Sequence, residues 1–353
     1  MGKTFRKLYE QVTSFENLWE AYRKARRGKR YQEPAAWFDF RVEENLLRLR
    51  EELITRTYRP GRYHHFHIRE PKPRLISAAP FRDRVVHHAL VNVLEPIYEA
   101  RFSASSFACR VGKGTHAAVE QAHRAVRHCR WLLKGDVVKF FPSVDHAVMR
   151  AVLWRKLADP NVRWLIGLIL DSGAGVLAAE APPLWFAGDD LLAPAERPKG
   201  LPIGNLTSQF FANVLLNELD QFVHEQVQPR DYVRYADDFI LFDDDPARLA
   251  AARAAVAGKL ADLRLRVHEG KTCVRPCAHG VRFLGFRLRP SGRRLEKGAV
   301  NRFRRRMRQY RQRWRAGLMD VREITQSVQS WLAHARFANA HGVVREVLRD
   351  VRF

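Results

Sequence analysis

The chain has 353 residues, 46% of them apolar, enough to bury a substantial core and to form more than one subdomain. Lysine and arginine number 62 against 38 acids, a formal charge of +24, which favours a polyanionic partner, either nucleic acid or an anionic membrane surface. No apolar run reaches membrane-span length, no signal core follows the basic N-terminus, and four cysteines make no disulfide scaffold. A soluble, cytoplasmic protein is expected, with no membrane partner.

Residues 1–30 read as a basic helix or arm carrying Lys24, Arg26, Arg27, Lys29 and Arg30, for which a solvated face and a nucleic-acid contact account equally well. Leu46, Leu47, Leu49, Leu53 and Ile54 recur at roughly helical spacing over 42–55. Residues 63–76 predict a short hairpin with Lys72 and Arg74 flanking Pro73 near its turn. The run Phe81-Arg82-Asp83-Arg84-Val85-Val86 leads into a helix ending near Tyr98. Arg74, Arg82 and Arg84 are phosphate-binding candidates, although each alone is more often a surface charge. Segment 103–115, with Arg110, Gly112, Lys113 and Gly114, suits a phosphate backbone but lacks the Gly-x-x-x-x-Gly-Lys spacing of a P-loop. A small-residue helix over 117–129 precedes a strand over 131–138.

That strand carries Asp136, and an acid inside an apolar strand is unusual for structure alone. Phe140 and Phe141 follow, and Asp145 is expected to cap the next helix. Residues 160–180 are mostly apolar and helical at first. Residues 181–199, rich in Pro, Gly and Ala, are irregular. No strand precedes their acidic pair Asp189-Asp190, which is therefore read as a loop with a solvated face. The cluster Gly200-Leu201-Pro202-Ile203-Gly204-Asn205 is a tight turn opening a helix to about Val227.

Residues 232–242 alternate and then run continuously apolar, the pattern of a two-strand hairpin with Asp237-Asp238 at its turn. Two acids beside such a run are costly to bury without a positive partner, and a divalent cation suits their hard oxygens. A solvated acidic turn is the plainer alternative. Asp245-Pro246 starts an Ala-rich helix to about Leu263. A strand over 265–268, the stretch Glu269-Gly270-Lys271-Thr272 and one short apolar strand over 281–286 follow. Cys273, Cys277 and His279 lack the fourth ligand and the spacing of a zinc site.

The element order predicts an α+β layer, an antiparallel sheet with helices on one face, in which Asp136 and Asp237 end on neighbouring strands at one edge. Two such carboxylates can hold two divalent ions about 3.5–4 Å apart and so support phosphoryl transfer. With the basic balance of the chain, these residue types point to nucleotidyl transfer or nuclease work. Residues 291–353 hold 16 Lys and Arg against 5 acids. Their run Asn301 to Tyr310, with Arg302, Arg304, Arg305, Arg306 and Arg308, predicts a helical subdomain lying along phosphates.

At these motifs the sequence resembles a reverse transcriptase. Tyr235-Ala236-Asp237-Asp238 matches the family's signature box, and Asp136 with Phe141 five residues on matches its first metal-binding motif. Gly200 to Gln209 matches the turn and helix under the incoming nucleotide. Gly270-Lys271-Thr272 and Phe283-Leu284-Gly285-Phe286 resemble the two motifs that follow, the second being the primer grip. The matches run in order from about Arg74 to Phe286. The resemblance implies a right-hand polymerase fold with an N-terminal arm and fingers over 1–105, a ferredoxin-like palm over 106–290 that includes a fingers segment at about 150–200, and a basic helical thumb over 291–353. It implies two Mg²⁺ ions held by Asp136 and Asp237, with Asp238 as the supporting acid. Phe141 becomes a steric gate against a ribonucleotide 2′-hydroxyl, with a core phenylalanine as the alternative. Arg74 and Lys72 grip the triphosphate, and Ile203, Gly204 and Gln209 belong to the motif under the incoming nucleotide. Lys271 lies near the leaving pyrophosphate as a general acid, or is an ordinary exposed lysine.

The segments 81–90 and 106–115 favour the group II intron-like lineage over retroviral enzymes. Ile203-Gly204 and Ser208-Gln209 stand where intron enzymes carry Gln-Gly and then Ser-Pro, a pattern that resembles the reverse transcriptases of diversity-generating retroelements. Ser330 to Ala335 extends that resemblance into the thumb. It implies error-prone copying, above all opposite template adenines, of a template-repeat RNA from deoxynucleoside triphosphates through an RNA/DNA hybrid. It also implies targeted gene diversification by the cDNA and a small basic accessory protein as partner. A polar contact absent at Ile203 would weaken discrimination by about 1–3 kcal/mol. No maturase or endonuclease domain is expected after Phe353. A stand-alone or antiphage-defence reverse transcriptase is the alternative, and a catalytically idle RNA-binding scaffold a more distant one.

Overall fold

The computed structural model describes residues 4–69, 72–338 and 340–350; the first three residues of the basic arm, the expected hairpin tip at 70–71 and residues 351–353 lie outside the described residues. Four helices open the chain: α1 (Tyr9–Thr13), α2 (Phe15–Arg26), α3 (Glu33–Phe40) and α4 (Val42–Ile54). Strands β1 (His64–Ile68) and β2 (Arg74–Ala78) pair antiparallel, followed by α5 (Phe81–Glu99) and α6 (Thr115–His128). Next come β3 (Trp131–Asp136), the short α7 (Phe140–Ser143), α8 (His146–Trp154), α9 (Pro160–Gly173), the short α10 (Ala193–Glu196) and α11 (Leu206–Phe222). The signature hairpin is β4 (Asp231–Tyr235) and β5 (Asp238–Asp243), and α12 (Pro246–Asp262) follows it. Strands β6 (Cys273–Pro276), β7 (Val281–Phe283), β8 (Phe286–Arg289) and β9 (Gly292–Leu295) lead to α13 (Lys297–Arg315), α14 (Val321–Phe337) and α15 (His341–Asp350).

The chain divides into two compact units. The first comprises residues 1–104, 136–227 and 254–268. Its centre is α5, packed against α2 and α11. Helical spacing sets Val85, Val86, Ala89, Leu90 and Leu94 of α5 inward, where all are buried, as are Leu18 of α2 and Phe211, Leu215 and Leu219 of α11. Side-chain caps fix the helix starts: Ser14 accepts from Asn17 N–H, and Asp145 accepts from the Ala147 and Val148 N–H groups, as its sequence position predicts.

The second unit comprises residues 105–135, 228–253 and 269–353. Its four-stranded sheet has the order β4-β5-β3-β6, with antiparallel pairing of β4 to β5 and of β3 to β6. Helix α6 lies on β4 and β5 through its buried Ala118, Val119, Ala122, Ala125 and Val126, small side chains that allow close approach. A second antiparallel sheet, β7-β8-β9, shares that core through Val281, Phe283, Phe286 and Leu288. Val300, Phe303, Met307, Trp331, Ala335 and Val347 form the core of the last three helices, where the Phe303 and Trp331 rings stack at 4.1 Å. Helices and antiparallel sheets together make the α+β fold that the element order predicts.

Three strand expectations are corrected. Strand β3 stops at Asp136 rather than Val138. Over 265–268 there is only a single bridge, Val267 to Val137. The expected strand over 281–286 is a hairpin, because Leu284 (φ 50°) and Gly285 (φ 86°) are both left-handed, the signature of a two-residue type I′ turn. Among the described residues no helix is long and apolar enough to cross a membrane.

Candidate active site

The signature acids sit on the tightest kind of hairpin. Tyr235 pairs with Asp238, so Ala236 and Asp237 are the two loop residues. Strand β5 is buried along Phe239, Ile240, Leu241 and Phe242, which explains the continuous apolar run. Ala236 holds φ 52°, a left-handed conformation costing a non-glycine residue roughly 1–2 kcal/mol. Beneath it lies Arg234, whose side chain is completely buried. Its Nη1 donates to the Ala236 carbonyl at 3.1 Å and its Nη2 donates to Ser106 Oγ at 2.9 Å. Hydrogen bonds from a charged donor contribute about 1.5–3 kcal/mol, enough to offset the strain of the turn. The Arg234 N–H donates to the Ser105 carbonyl at 2.8 Å, and the Arg234 carbonyl accepts from Phe107 N–H at 3.0 Å.

In the sheet, β3 lies beside β5. Two contacts fix how their ends meet. Lys134 Nζ is 3.6 Å from Asp238 Oδ1, and a Cβ on Gly135 would stand 2.1 Å from the Phe239 ring, so only glycine permits the approach. The C-terminal end of β3 therefore lies against the start of β5, and Asp136 is the last residue of β3. Asp136, Asp237 and Asp238 are each half-buried. The Asp136 carbonyl accepts from His268 N–H at 2.8 Å, which holds the strand end from the other side.

Among the described residues no three His, Cys, Asp or Glu side chains form a closed metal cluster. Half-buried carboxylates are nonetheless the donors that Mg²⁺ takes. Its sites use one or two carboxylates with waters and substrate phosphates rather than an all-protein cage. Cys273 is exposed on β6 and Cys277 is buried in the core of the second unit.

The candidates for the nucleotide side belong to the first unit. Phe140 is buried at 2% exposure, while Phe141 beside it is half-buried, so the two rings are not equivalent. The Phe141 carbonyl accepts from Leu201 N–H at 2.8 Å, tying the aromatic pair to the 200–205 turn. That turn is tied in addition to β2: Ser77 N–H donates to the Ile203 carbonyl at 2.8 Å. Gly204 has φ 115°, and a Cβ there would stand 2.8 Å from Ile76 Cγ2. Ile203 is half-buried, and Gly204 and Gln209 are exposed. Lys72 and Arg74 are exposed at the start of β2, so Phe141, Ile203, Gly204 and Arg74 share one bonded framework. Lys271 is exposed on a 3₁₀ turn of the second unit.

Phe283, Leu284, Gly285 and Phe286 form the β7–β8 turn. His334 of α14 packs on it, its ring 4.2 Å from that of Phe286 and 3.2 Å from where a Gly285 Cβ would stand. Burial, reinforced by neighbouring His116, lowers the His334 pKa. On α13, Arg305 and Arg308 are exposed and Arg302 and Arg306 half-buried, whereas Arg304 reaches Glu346 of α15 at 2.5 Å. The expectation of a solvated Asp189 is overturned. Its carboxylate is only 3% exposed and is ion-paired to Arg197, which also reaches Asp145 at 3.2 Å. Arg264 bonds Asp145 at 2.8 Å, so Asp145 is a charge hub as well as a cap.

Comparison with known proteins matches this framework. The family model described as reverse transcriptase (RNA-dependent DNA polymerase) covers residues 68–288, well over half of the chain. Protein YkfC of Escherichia coli (strain K12) is 26% identical over an alignment 291 residues long that covers 70% of this chain and 72% of YkfC. Nuclear intron maturase 2, mitochondrial, of Arabidopsis thaliana is 29% identical over 227 residues, and group II intron-encoded protein LtrA of Lactococcus lactis subsp. cremoris is 27% identical over 184. Those matches take in 52% and 51% of this chain but only 31% and 28% of the maturase and of LtrA. By the extent of the family match and the signature hairpin within it, the chain belongs to the reverse transcriptase family, the RNA-directed DNA polymerases.

Proposed function

We propose that this chain synthesises cDNA on an RNA template, with Asp136, Asp237 and Asp238 as its catalytic acids. The observation that carries this reading is the neighbouring of β3 and β5, with Asp136 closing one strand and Asp238 opening the other directly after Asp237. Two Mg²⁺ ions at these carboxylates would activate the primer 3′-hydroxyl and stabilise the leaving oxygen. The chain's own residues supply the rest. Phe141 presents its half-buried ring as the sugar gate, and Arg74 and Lys72 supply positive charge for the triphosphate. Lys271 is the candidate general acid at the pyrophosphate. The β7–β8 turn grips the primer, and the α13 arginines follow the hybrid.

Within this reading the chain acts as a diversity-generating enzyme, error-prone at template adenines and working with a small basic accessory protein on a template-repeat RNA. Ile203 supports this: its apolar side chain is half-exposed in the turn bonded to β2, where it offers the nucleotide no polar group. Primer extension on an RNA template with Mg²⁺ tests the proposal. Labelled cDNA is expected; a protein that binds RNA yet makes no DNA would leave the RNA-binding scaffold in its place.

A further inference from the structure

The hairpin at Asp237 can adopt two turn types. Type I′ has positive φ at both loop residues, and type II′ has it only at the first. Here Ala236 has φ 52° and Asp237 is not among the residues of positive φ, the type II′ pattern. The two types differ by a flip of the peptide between the loop residues, the peptide whose carbonyl belongs to Ala236. A flip would leave the Asp237 Cβ nearly in place but carry the residue to positive φ, which changes the side-chain rotamers open to its carboxylate. Nothing local favours type II′ here, since its first position suits glycine and holds alanine.

Resting on the assignment of Asp237 as a catalytic acid, we infer that Arg234 is the positioning residue that holds this peptide and aims the Asp237 carboxylate. One arm of its guanidinium fork takes the Ala236 carbonyl and the other is anchored on Ser106 Oγ. The anchor is itself fixed, because the Ser106 carbonyl accepts from Arg110 Nη1 at 2.9 Å and Ser106 bridges to Arg234 through the backbone. The fork is buried, so water does not compete for either bond. The signature acid is thus oriented from segment 105–110, far from it in sequence.

The test compares Arg234→Lys, Arg234→Gln, Ser106→Ala and Asp237→Ala in the full chain by steady-state primer extension, with template affinity, thermal midpoint and Mn²⁺ binding by calorimetry measured alongside. Misaiming a catalytic group costs on the order of 10–100-fold in kcat. That fall is expected for Arg234→Gln, with a smaller one for Ser106→Ala and partial recovery in Arg234→Lys. The KM for nucleotide, the RNA affinity and the thermal midpoint should hold, while Mn²⁺ binding weakens several-fold. Unchanged kcat in a folded Arg234→Gln and in Ser106→Ala overturns the inference, and so does a loss that tracks the thermal midpoint. If neither Arg234 variant folds, Ser106→Ala decides by the same measurements. Synthesis that survives Asp237→Ala instead removes the assignment of the acid on which the inference rests.

Discussion

Asn205 clamps the backbone on both sides of Ala78 through one side chain. Its Nδ2 donates to the Ser77 carbonyl at 2.9 Å, and its Oδ1 accepts from the Ala79 N–H at 3.0 Å. The residue is 3% exposed, so these peptide groups have no water to fall back on. Asn205→Ala should destabilise the protein by roughly 1–3 kcal/mol for each orphaned group. Urea unfolding would show it, and a change under about 0.5 kcal/mol, below the range for one orphaned group, would mean that the turn and β2 are held together without this side chain.

Two adjacent histidines of α5 make stability depend on pH. Burial, ahead of His88 and Arg84, pushes the His87 pKa down to about 3, and burial with Lys24 and Lys29 pushes that of His88 to about 4. His87 Nδ1 has no hydrogen-bond partner among the described residues. Both folded values lie below the ordinary 6.5, so below that pH the unfolded chain takes up protons that the folded chain refuses. Stability is therefore full well above pH 6.5 and falls as pH drops, down to about 4 for His88 and about 3 for His87, by roughly 1 kcal/mol for His87 at about pH 5.5. Thermal midpoints should drop between about pH 7.5 and about pH 5.5, and less steeply in His87→Gln; identical slopes would contradict the assignment.

If the 200–205 turn lies under the nucleotide as proposed, Ile203→Gln should raise fidelity by placing a polar group there. Sequencing the cDNA made by both proteins measures this. Misincorporation opposite template adenine should fall several-fold, the ratio expected for one hydrogen bond of about 1 kcal/mol. An unchanged spectrum would place the source of error elsewhere.

The α13 arginines separate by environment. Replacing Arg302, Arg305, Arg306 and Arg308 with glutamine should flatten the salt dependence of template binding by about 0.7–0.9 for each phosphate that is no longer neutralised. Arg304 is paired with Glu346, so Arg304→Gln should lower thermal stability more than it changes the salt slope. A full loss of slope from Arg304 alone would reverse these roles.

Much of the candidate site's local structure is legible in the sequence. Asp136 and Asp237 stand out because an acid next to apolar strand residues needs a reason, and the alternation around Tyr235 specifies a hairpin. Asp145 reads as a cap from its neighbours, and it is one. The failures come from long-range pairings that no local pattern encodes. Asp189 looks solvated in sequence because Arg264, which faces it, is distant along the chain and Arg197 is brought back to it only past the short helix α10. Arg234 passes for a solvent-facing residue of an alternating strand, although the 105–107 segment covers it. The 281–286 hairpin escapes a local reading because Leu284 adopts a left-handed conformation that its side chain disfavours.

If Asp136 and Asp237 serve one reaction, neither can be spared, and single-turnover primer extension by Asp136→Ala and Asp237→Ala measures this. Each variant is expected to bind the RNA template with an affinity close to that of the parent chain while yielding no detectable cDNA. Substantial extension by either variant would contradict it.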